Sequence, residues 1–221
     1  MDYAVDKNDT RTLIQKNENV ITNTDSIAFF DFDGTITTKD TLFEILKFTK
    51  GKLSFYLGMA YLAPRLIAHK LNLSSSQKTK EAVLKYFLCG MRVSVFDDYC
   101  EKFVNTKLPA FIRNSALREI ERHQKNNTQV IIVSASAENW IEPWCKKLGI
   151  DFITTRLTTE RGTLTGKIAG LNCNGEEKAA SIRRKFDLSK YKNIYAYGDT
   201  SGDKQMFSLA TETFFKPFHN K

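Results

Sequence analysis

The sequence predicts an α/β protein: an open parallel sheet flanked by helices, with an all-helical module inserted into it. Three observations predict this. Ile27-Ala28-Phe29-Phe30, Val130-Ile131-Ile132-Val133 and Ile194-Tyr195-Ala196-Tyr197 are short apolar runs of strand length, as in strands buried on both faces. Helix-forming segments separate them, so the strands need crossovers and lie parallel. About 95 residues lie between Gly34 and the second strand near Gln129, far more than a minimal crossover uses. The excess must form a module of its own.

Residues 1–24 are polar with scattered apolar side chains and read as a flexible tail; no apolar stretch follows a basic start as in a signal peptide. The first strand, Ile27–Phe30, runs into Asp31-Phe32-Asp33-Gly34-Thr35-Ile36-Thr37. Helices are expected over Asp40–Lys50, Leu53–Lys70, Ser76–Leu88 and Val95–Thr106. In the third, Thr79, Ala82, Val83, Tyr86 and Phe87 show amphipathic spacing, and Ser75 or Ser76 could cap it. Pro109 marks the return, and a helix over Phe111–Gln124 leads to the strand at Gln129. Ala137–Leu148 follows as a helix. Arg156–Gly170 alternates around Gly162 and predicts a β-hairpin. The chain thus divides into a core, residues 25–39 and 110–221, and an insertion, residues 40–109.

Chemistry is concentrated where strands end, which is where open parallel sheets bind ligands. Asp31 and Asp33 are two residues apart at the end of the first strand. Two such carboxylates repel and need a shared proton or a cation, and a hard oxygen-seeking ion such as Mg2+ resolves the conflict. One carboxylate can then act as a nucleophile and the other as a general acid and base. Ser134 ends the second strand, Lys178 stands near a helix start, and Tyr197-Gly198-Asp199-Thr200-Ser201-Gly202-Asp203 ends the third strand with two more carboxylates. Lys167 is a second candidate for the lysine. Taken singly, each has a plainer role: a helix cap for Ser134, a solvated side chain for either lysine.

Taken in order, these four motifs resemble the haloacid dehalogenase superfamily, over about residues 27–216 and closest to its phosphoserine-phosphatase-like branch. The resemblance implies a Rossmann-like doubly wound core with a helical cap, and a Mg2+-dependent phosphatase of cytoplasmic type. It implies Asp31 as the nucleophile that becomes an aspartyl phosphate and Asp33 as the acid/base. Mg2+ would be held by Asp31, the main-chain carbonyl of Asp33, and Asp199. Asp203 would orient the metal's waters or Lys178, while Ser134 and Lys178 would bind phosphate oxygens. Asp40 stands where phosphoserine phosphatases carry a Glu that reads the substrate amine, and Gly202 where they tend to carry Asn. Asp40 together with a long basic, apolar cap also resembles phosphatidylglycerophosphate phosphatases of the same superfamily. Asp40 and Arg65 are the expected specificity residues. The implied substrate is a small phosphorylated metabolite. The alternatives are a lipid headgroup phosphate, phosphoserine, or a non-catalytic phosphate-binding module.

Charge is distributed unevenly. Between residues 45 and 96 nine basic residues face Glu81 alone, which accounts for the whole net charge of +8. Leu53–Pro64 runs twelve residues without a charge. The first expectation for this helix is burial in the inserted bundle. The alternatives are an interfacial helix on an anionic membrane, giving peripheral contact at its inner face, or a dimer interface. The charge could equally steer phosphorylated substrates. No zinc finger, helix-turn-helix or RNA-binding aromatic motif supports nucleic acid as a partner. Cys89, Cys100, Cys145 and Cys173 form no CxxC and read as free thiols. His69, His123 and His219 are too scattered for a zinc site, and no G-x-G-x-x-G follows a strand.

Overall fold

The computed structural model describes residues 24–71 and 73–219. The expected N-terminal tail lies almost wholly outside them. The strands are β1 (Ser26–Phe30), β2 (Gln129–Ala137), β3 (Asp151–Glu160), β4 (Thr163–Ala169), β5 (Asn193–Gly198) and β6 (Glu212–Phe215), in the order β4-β3-β2-β1-β5-β6. Neighbours pair in parallel except β3 and β4, the predicted hairpin. β1 is central, with β2 on one side and β5 on the other, so the connection reverses direction there and leaves a crevice at the strand ends. β6 is a short edge strand that the sequence reading did not mark.

The apolar runs are buried on both faces because helices cover both. Ala28, Phe30, Val130, Ile132 and Tyr197 point to one side; Ile27, Phe29, Ile131, Val133 and Ala196 point to the other. The second face is closed by α7 (Glu176–Lys185) and the single turn α8 (Lys204–Phe207) through Ile182 and Met206. The first is closed by α5 (Asn114–Lys125) and α6 (Glu138–Leu148) through Ala116, Ile120, Trp140 and Ile141.

The insertion holds α1 (Thr41–Lys50), α2 (Lys52–Lys70), α3 (Ser76–Leu88) and α4 (Val93–Thr106). Its apolar residues, among them Ile45, Leu46, Leu84, Phe96 and Phe103, continue the first-face core without a break. α3 presents a polar face to the hairpin. Gln77 donates to the carbonyl of Gly170 (3.1 Å), and Glu81 accepts from the Ile168 N–H (3.1 Å). Ser75, not Ser76, caps α3, accepting from the Lys78 N–H at 3.2 Å.

α2 corrects the first expectation. Of its 19 residues only Phe55, Gly58 and Leu62 are buried, and most of the charge-free run faces outward. The periodicity was hidden because apolar residues occupy both sides of the helix, so composition alone could not tell the inner stripe from the outer one.

Candidate active site

Three adjacent strands deliver the site residues to one edge of the sheet. Asp31 directly follows β1, its N–H donating to the Tyr197 carbonyl (2.8 Å) as if the strand continued. Asp199 directly follows β5, and Ser134 lies in β2 just before a break in its register with β3. Gly34 turns the chain back at φ +86°; a Cβ there would collide with the Asp199 carboxylate, so this close approach requires glycine.

Lys178, in the first turn of α7, is 98 % buried and joins two carboxylates. Its Nζ lies 2.5 Å from Asp31 Oδ1 and 2.6 Å from Asp203 Oδ1. Burial by itself would lower its pKa, but Asp31 and Asp203 outweigh this and raise it. Asp31 is pushed up to about 7, by burial first and by the neighbouring Asp203 and Asp33 charges, with Lys178 pulling the other way. Lys178 therefore stays charged, and the pocket holds more negative charge than one lysine balances.

Asp31, Asp199 and Asp203 bring one carboxylate oxygen each within 4.8 Å of one another. Thr35 Oγ1 bridges Asp31 and Asp199, at 3.2 Å from each. Burial also raises the pKa of Asp199. Asp203 is already engaged: Oδ1 with Lys178, and Oδ2 with the N–H groups of Asp199 (3.1 Å) and Thr200 (3.0 Å). It braces the motif, whereas Asp199 Oδ2 meets no donor among the described residues and Asp31 Oδ2 meets only the Thr35 hydroxyl, so these two side chains are the ones open to a cation. A crowded all-oxygen donor set with excess negative charge suits Mg2+.

Asp33 points away from this cluster. Its Oδ1 accepts from the N–H and the hydroxyl of Thr41, both at 2.6 Å, and its Oδ2 accepts from the Ser136 hydroxyl at 2.5 Å. The Trp140 indole N–H in turn holds the Thr41 hydroxyl at 2.9 Å. Its side chain thus stays outside the oxygen cluster that Asp31, Asp199 and Asp203 form. Ser134 accepts the Ser136 N–H at 3.0 Å, which leaves its own hydroxyl proton to donate.

Asp31, Asp33, Ser134, Ser136 and Lys178 floor a cavity of about 380 Å3 between core and insertion, with Asp199 and Asp203 outside its lining. Asp31, Asp33, Asp40, Ser134 and Lys178 all line it; Leu66, His69, Lys80 and Val83 close it from the insertion. Lys80 was not singled out from sequence. Its amino group donates to the Ala135 carbonyl and to Asn172 Oδ1 (3.1 Å), and burial lowers its pKa to about 8 against the pull of Asp33 and Asp40. Asp40 lines the cleft and serves as the N-cap of α1, accepting from the Phe43 N–H at 3.2 Å. Enclosure by the cleft walls and the charge of Asp33 raise its pKa to about 6. Arg65 does not join them: it lines a separate groove on the outer side of α2. Lys167 is exposed on β4, away from the aspartates. Gly202 leaves room that the Asn174 side chain fills, and a Cβ at 202 would collide with that amide. A larger cavity, about 750 Å3, lies against β3 and α7 and contains none of the clustered carboxylates.

The four cysteines are free; Cys100, Cys145 and Cys173 are buried, and burial pushes their thiols up and out of reactive range.

Carboxylates at the ends of two adjacent parallel strands, joined to a buried lysine from a helix start, are an arrangement suited to phosphoryl transfer. The chain belongs to the haloacid dehalogenase-like hydrolases, whose family profile it matches over residues 28–208. It is 33 % identical over 198 residues to Protein CicA of Caulobacter vibrioides, covering 88 % of this chain and 87 % of that protein. It is 29 % identical over 188 residues to Probable phosphatase Rv3661 of Mycobacterium tuberculosis, covering 81 % of this chain and 64 % of the relative. Among solved structures, a phospho-aspartyl intermediate analogue of phosphoserine phosphatase shares the fold, with a TM-score of 0.64, 17 % identity and coverage of 87 % and 86 % of the two chains.

Proposed function

We propose that the chain is a Mg2+-dependent phosphomonoester hydrolase that acts through an aspartyl phosphate on a small phosphorylated metabolite. The observation that carries this is the division of labour between the two aspartates: Asp31 is held by Lys178 and Thr35 beside Asp199, while Asp33 is held apart by Thr41 and Ser136.

In the first half-reaction an Asp31 oxygen forms a bond to phosphorus. The ester P–O bond breaks, and Asp33 gives its proton to the departing alkoxide. In the second, Asp33 takes a proton from water, the resulting hydroxide attacks phosphorus, and the P–O bond to Asp31 breaks to release phosphate. Lys178 and the Ser134 hydroxyl hold the non-bridging oxygens, which is the main electrostatic task in phosphoryl transfer. Asp31, Asp199 and the main-chain carbonyl of Asp33 would hold Mg2+, which supplies charge neutralisation for the phosphoryl group. Asp203 fixes Lys178 and the loop that carries Asp199. Helices α1 to α4 act as the cap, closing the cavity and excluding water.

The leaving alcohol meets a mixed wall: Leu66 and Val83, with Lys80 and Asp40 as its charged groups. A lipid headgroup phosphate is the second reading, favoured by the exposed apolar face that α2 carries outside the cavity. Phosphoserine is the third reading: Asp40, with Oδ1 taken by the Phe43 N–H, would meet its amine from a side chain one methylene shorter than the Glu that phosphoserine phosphatases carry there.

The test is Mg2+-dependent phosphate release from phosphoserine, phosphatidylglycerophosphate in mixed micelles, sugar phosphates and a nucleotide, with Asp31→Asn alongside. Turnover of at least one ester, lost in the variant and inhibited by beryllium fluoride, supports the reading. Substantial turnover by Asp31→Asn sinks the covalent mechanism, and silence across the panel with retained Mg2+ binding sinks hydrolysis.

A further inference from the structure

We infer that the outer face of α2 is a docking surface for an anionic lipid bilayer. Leu53, Tyr56, Leu57, Tyr61, Ile67 and Leu71 recur at helical spacing along one side of α2 and its end, and each is more than half exposed, Leu53 and Tyr61 by about three quarters. Tyr86 of α3 stacks on Tyr61 with ring centroids 5.4 Å apart and widens the strip. Nineteen residues of helix give the strip a length of roughly 28 Å. Scattered exposed apolar residues are ordinary, but a continuous aromatic and aliphatic strip of this length marks an interaction site.

Charge identifies the occupant. Lys52, Arg65 and Lys70 on α2 and Lys85 on α3 accompany the strip, and none makes an ion pair among the described residues. The one acidic residue of the segment, Glu81, is turned inward to the Ile168 N–H. A groove of about 550 Å3 lies beside the strip, lined by Tyr61, Pro64, Arg65, Lys85 and Tyr86. Two cations set among tyrosines and a proline suit a lipid phosphate at the boundary of headgroup and acyl chain, where aromatic rings also settle. A second copy fits poorly. A two-fold contact through this face would bring the same cations together with no acid of the described residues between them, and interface cores are depleted in lysine. No helix among the described residues is long and apolar enough to cross a membrane, so α2 would lie in the plane of the surface. Leu66 and His69 on its opposite flank line the catalytic cavity, so docking holds that cavity about one helix diameter, roughly 10 Å, from the lipid. The inference does not depend on which ester is cleaved.

The test is cosedimentation of the full chain with vesicles of phosphatidylglycerol and phosphatidylcholine in equal parts, and with phosphatidylcholine alone. Two variants are compared: Leu53→Ser/Leu57→Ser/Tyr61→Ser, and Arg65→Gln/Lys85→Gln. Thermal melting checks that each is folded, and hydrolysis of a soluble aryl phosphate reads the active site separately. The expected result is binding to the anionic vesicles at least tenfold tighter than to neutral ones, weakened by salt and reduced at least tenfold in both variants. Aryl phosphate hydrolysis, where the wild type shows it, stays unchanged. No binding by the wild type, or equal binding by folded variants, overturns the inference. Dimerisation of the wild type without vesicle binding, abolished by the triple substitution, assigns the face to a second copy and overturns it as well. Failure of the phosphatase reading would show as absent hydrolysis with vesicle binding intact.

Discussion

The floor of the catalytic cavity and the outer face of α2 lie on opposite sides of one helix and are built on opposite terms. Around the floor, carboxylates are held by other side chains of the core and its loops: Lys178 for Asp31, Thr41 and Ser136 for Asp33, Thr35 for Asp199. On the outer face of α2, large apolar groups and cations without an ion pair meet little else among the described residues. The floor is costly to disturb and explains itself within the molecule. The outer face is cheap to disturb, and nothing among the described residues covers it.

The largest effect is expected at Lys178. Lys178→Ala leaves Asp31 and Asp203 buried without their cation, and breaking such a group costs roughly 3–5 kcal/mol. Chemical denaturation should show that loss, with turnover reduced by more than about a thousandfold. Stability within about 1 kcal/mol of wild type would mean the floor is not the tightly determined region described.

Within α2 the same contrast can be read from neighbours. Phe55 packs under the helix with its ring 5.8 Å from that of Phe87, whereas Tyr56 faces out. Phe55→Ala should cost roughly 3–5 kcal/mol, and Tyr56→Ala less than about 1 kcal/mol. Similar costs at the two positions would show that the outer face is covered within the protein itself.

A third contrast concerns pH. His123 is buried between Phe30 and Tyr197, its Nε2 2.8 Å from the Tyr197 hydroxyl, which donates to Glu119 at 2.7 Å. Burial first, then the Arg122 charge, lowers its pKa to about 4, although Glu119 pulls it up. The unfolded chain then binds a proton that the folded chain refuses. This stability is complete above the unfolded value near 6.5 and is lost as pH falls toward 4, by roughly 2 kcal/mol at pH 5. The raised Asp31 and Asp40 act in the opposite direction over the same window, so the comparison is made between proteins. From pH 7 to pH 5, in metal-free buffer, the melting temperature of the wild type should fall several degrees further than that of His123→Phe. Equal falls would remove His123 as the cause.

The sequence was most legible where chemistry forces residues into fixed order. Asp31, Asp33, Ser134, Lys178 and Asp199 stand at strand ends and a helix start, and the structure gathers all five around one site. Asp33 and Asp199 nonetheless differ in what they face, and only packing decides that. Lys80 sits with Gln77 and Glu81 at the i, i+3, i+4 spacing of a polar helix face, a signal also produced by ordinary solvated residues. Arg65 and Leu66 are adjacent, yet one lines the outer groove and the other the cavity. In a helix that is apolar all round, neighbours in sequence fall on different sides, and tertiary contacts alone choose between them.

The smallest expected effect tests the group that sequence did not mark at the floor itself. The Thr41 hydroxyl donates to Asp33 at 2.6 Å and accepts the Trp140 N–H at 2.9 Å. Thr41 touches no reacting atom, so it is a positioning residue. Thr41→Val keeps the shape and removes the hydroxyl, while the Thr41 N–H and the Ser136 hydroxyl still hold Asp33. The stability cost should be about 1–2 kcal/mol, that of one unpaired buried donor. Turnover should fall about tenfold through kcat with KM little changed, since a misaligned proton donor slows chemistry without weakening phosphate binding. Thr41→Ser restores the hydroxyl and should recover most of the lost kcat. A valine variant whose KM rises instead would mean Thr41 acts on the substrate or on the fit of the insertion. A serine variant that recovers stability but not kcat would show that Asp33 is aligned by the N–H of residue 41 and by Ser136 alone.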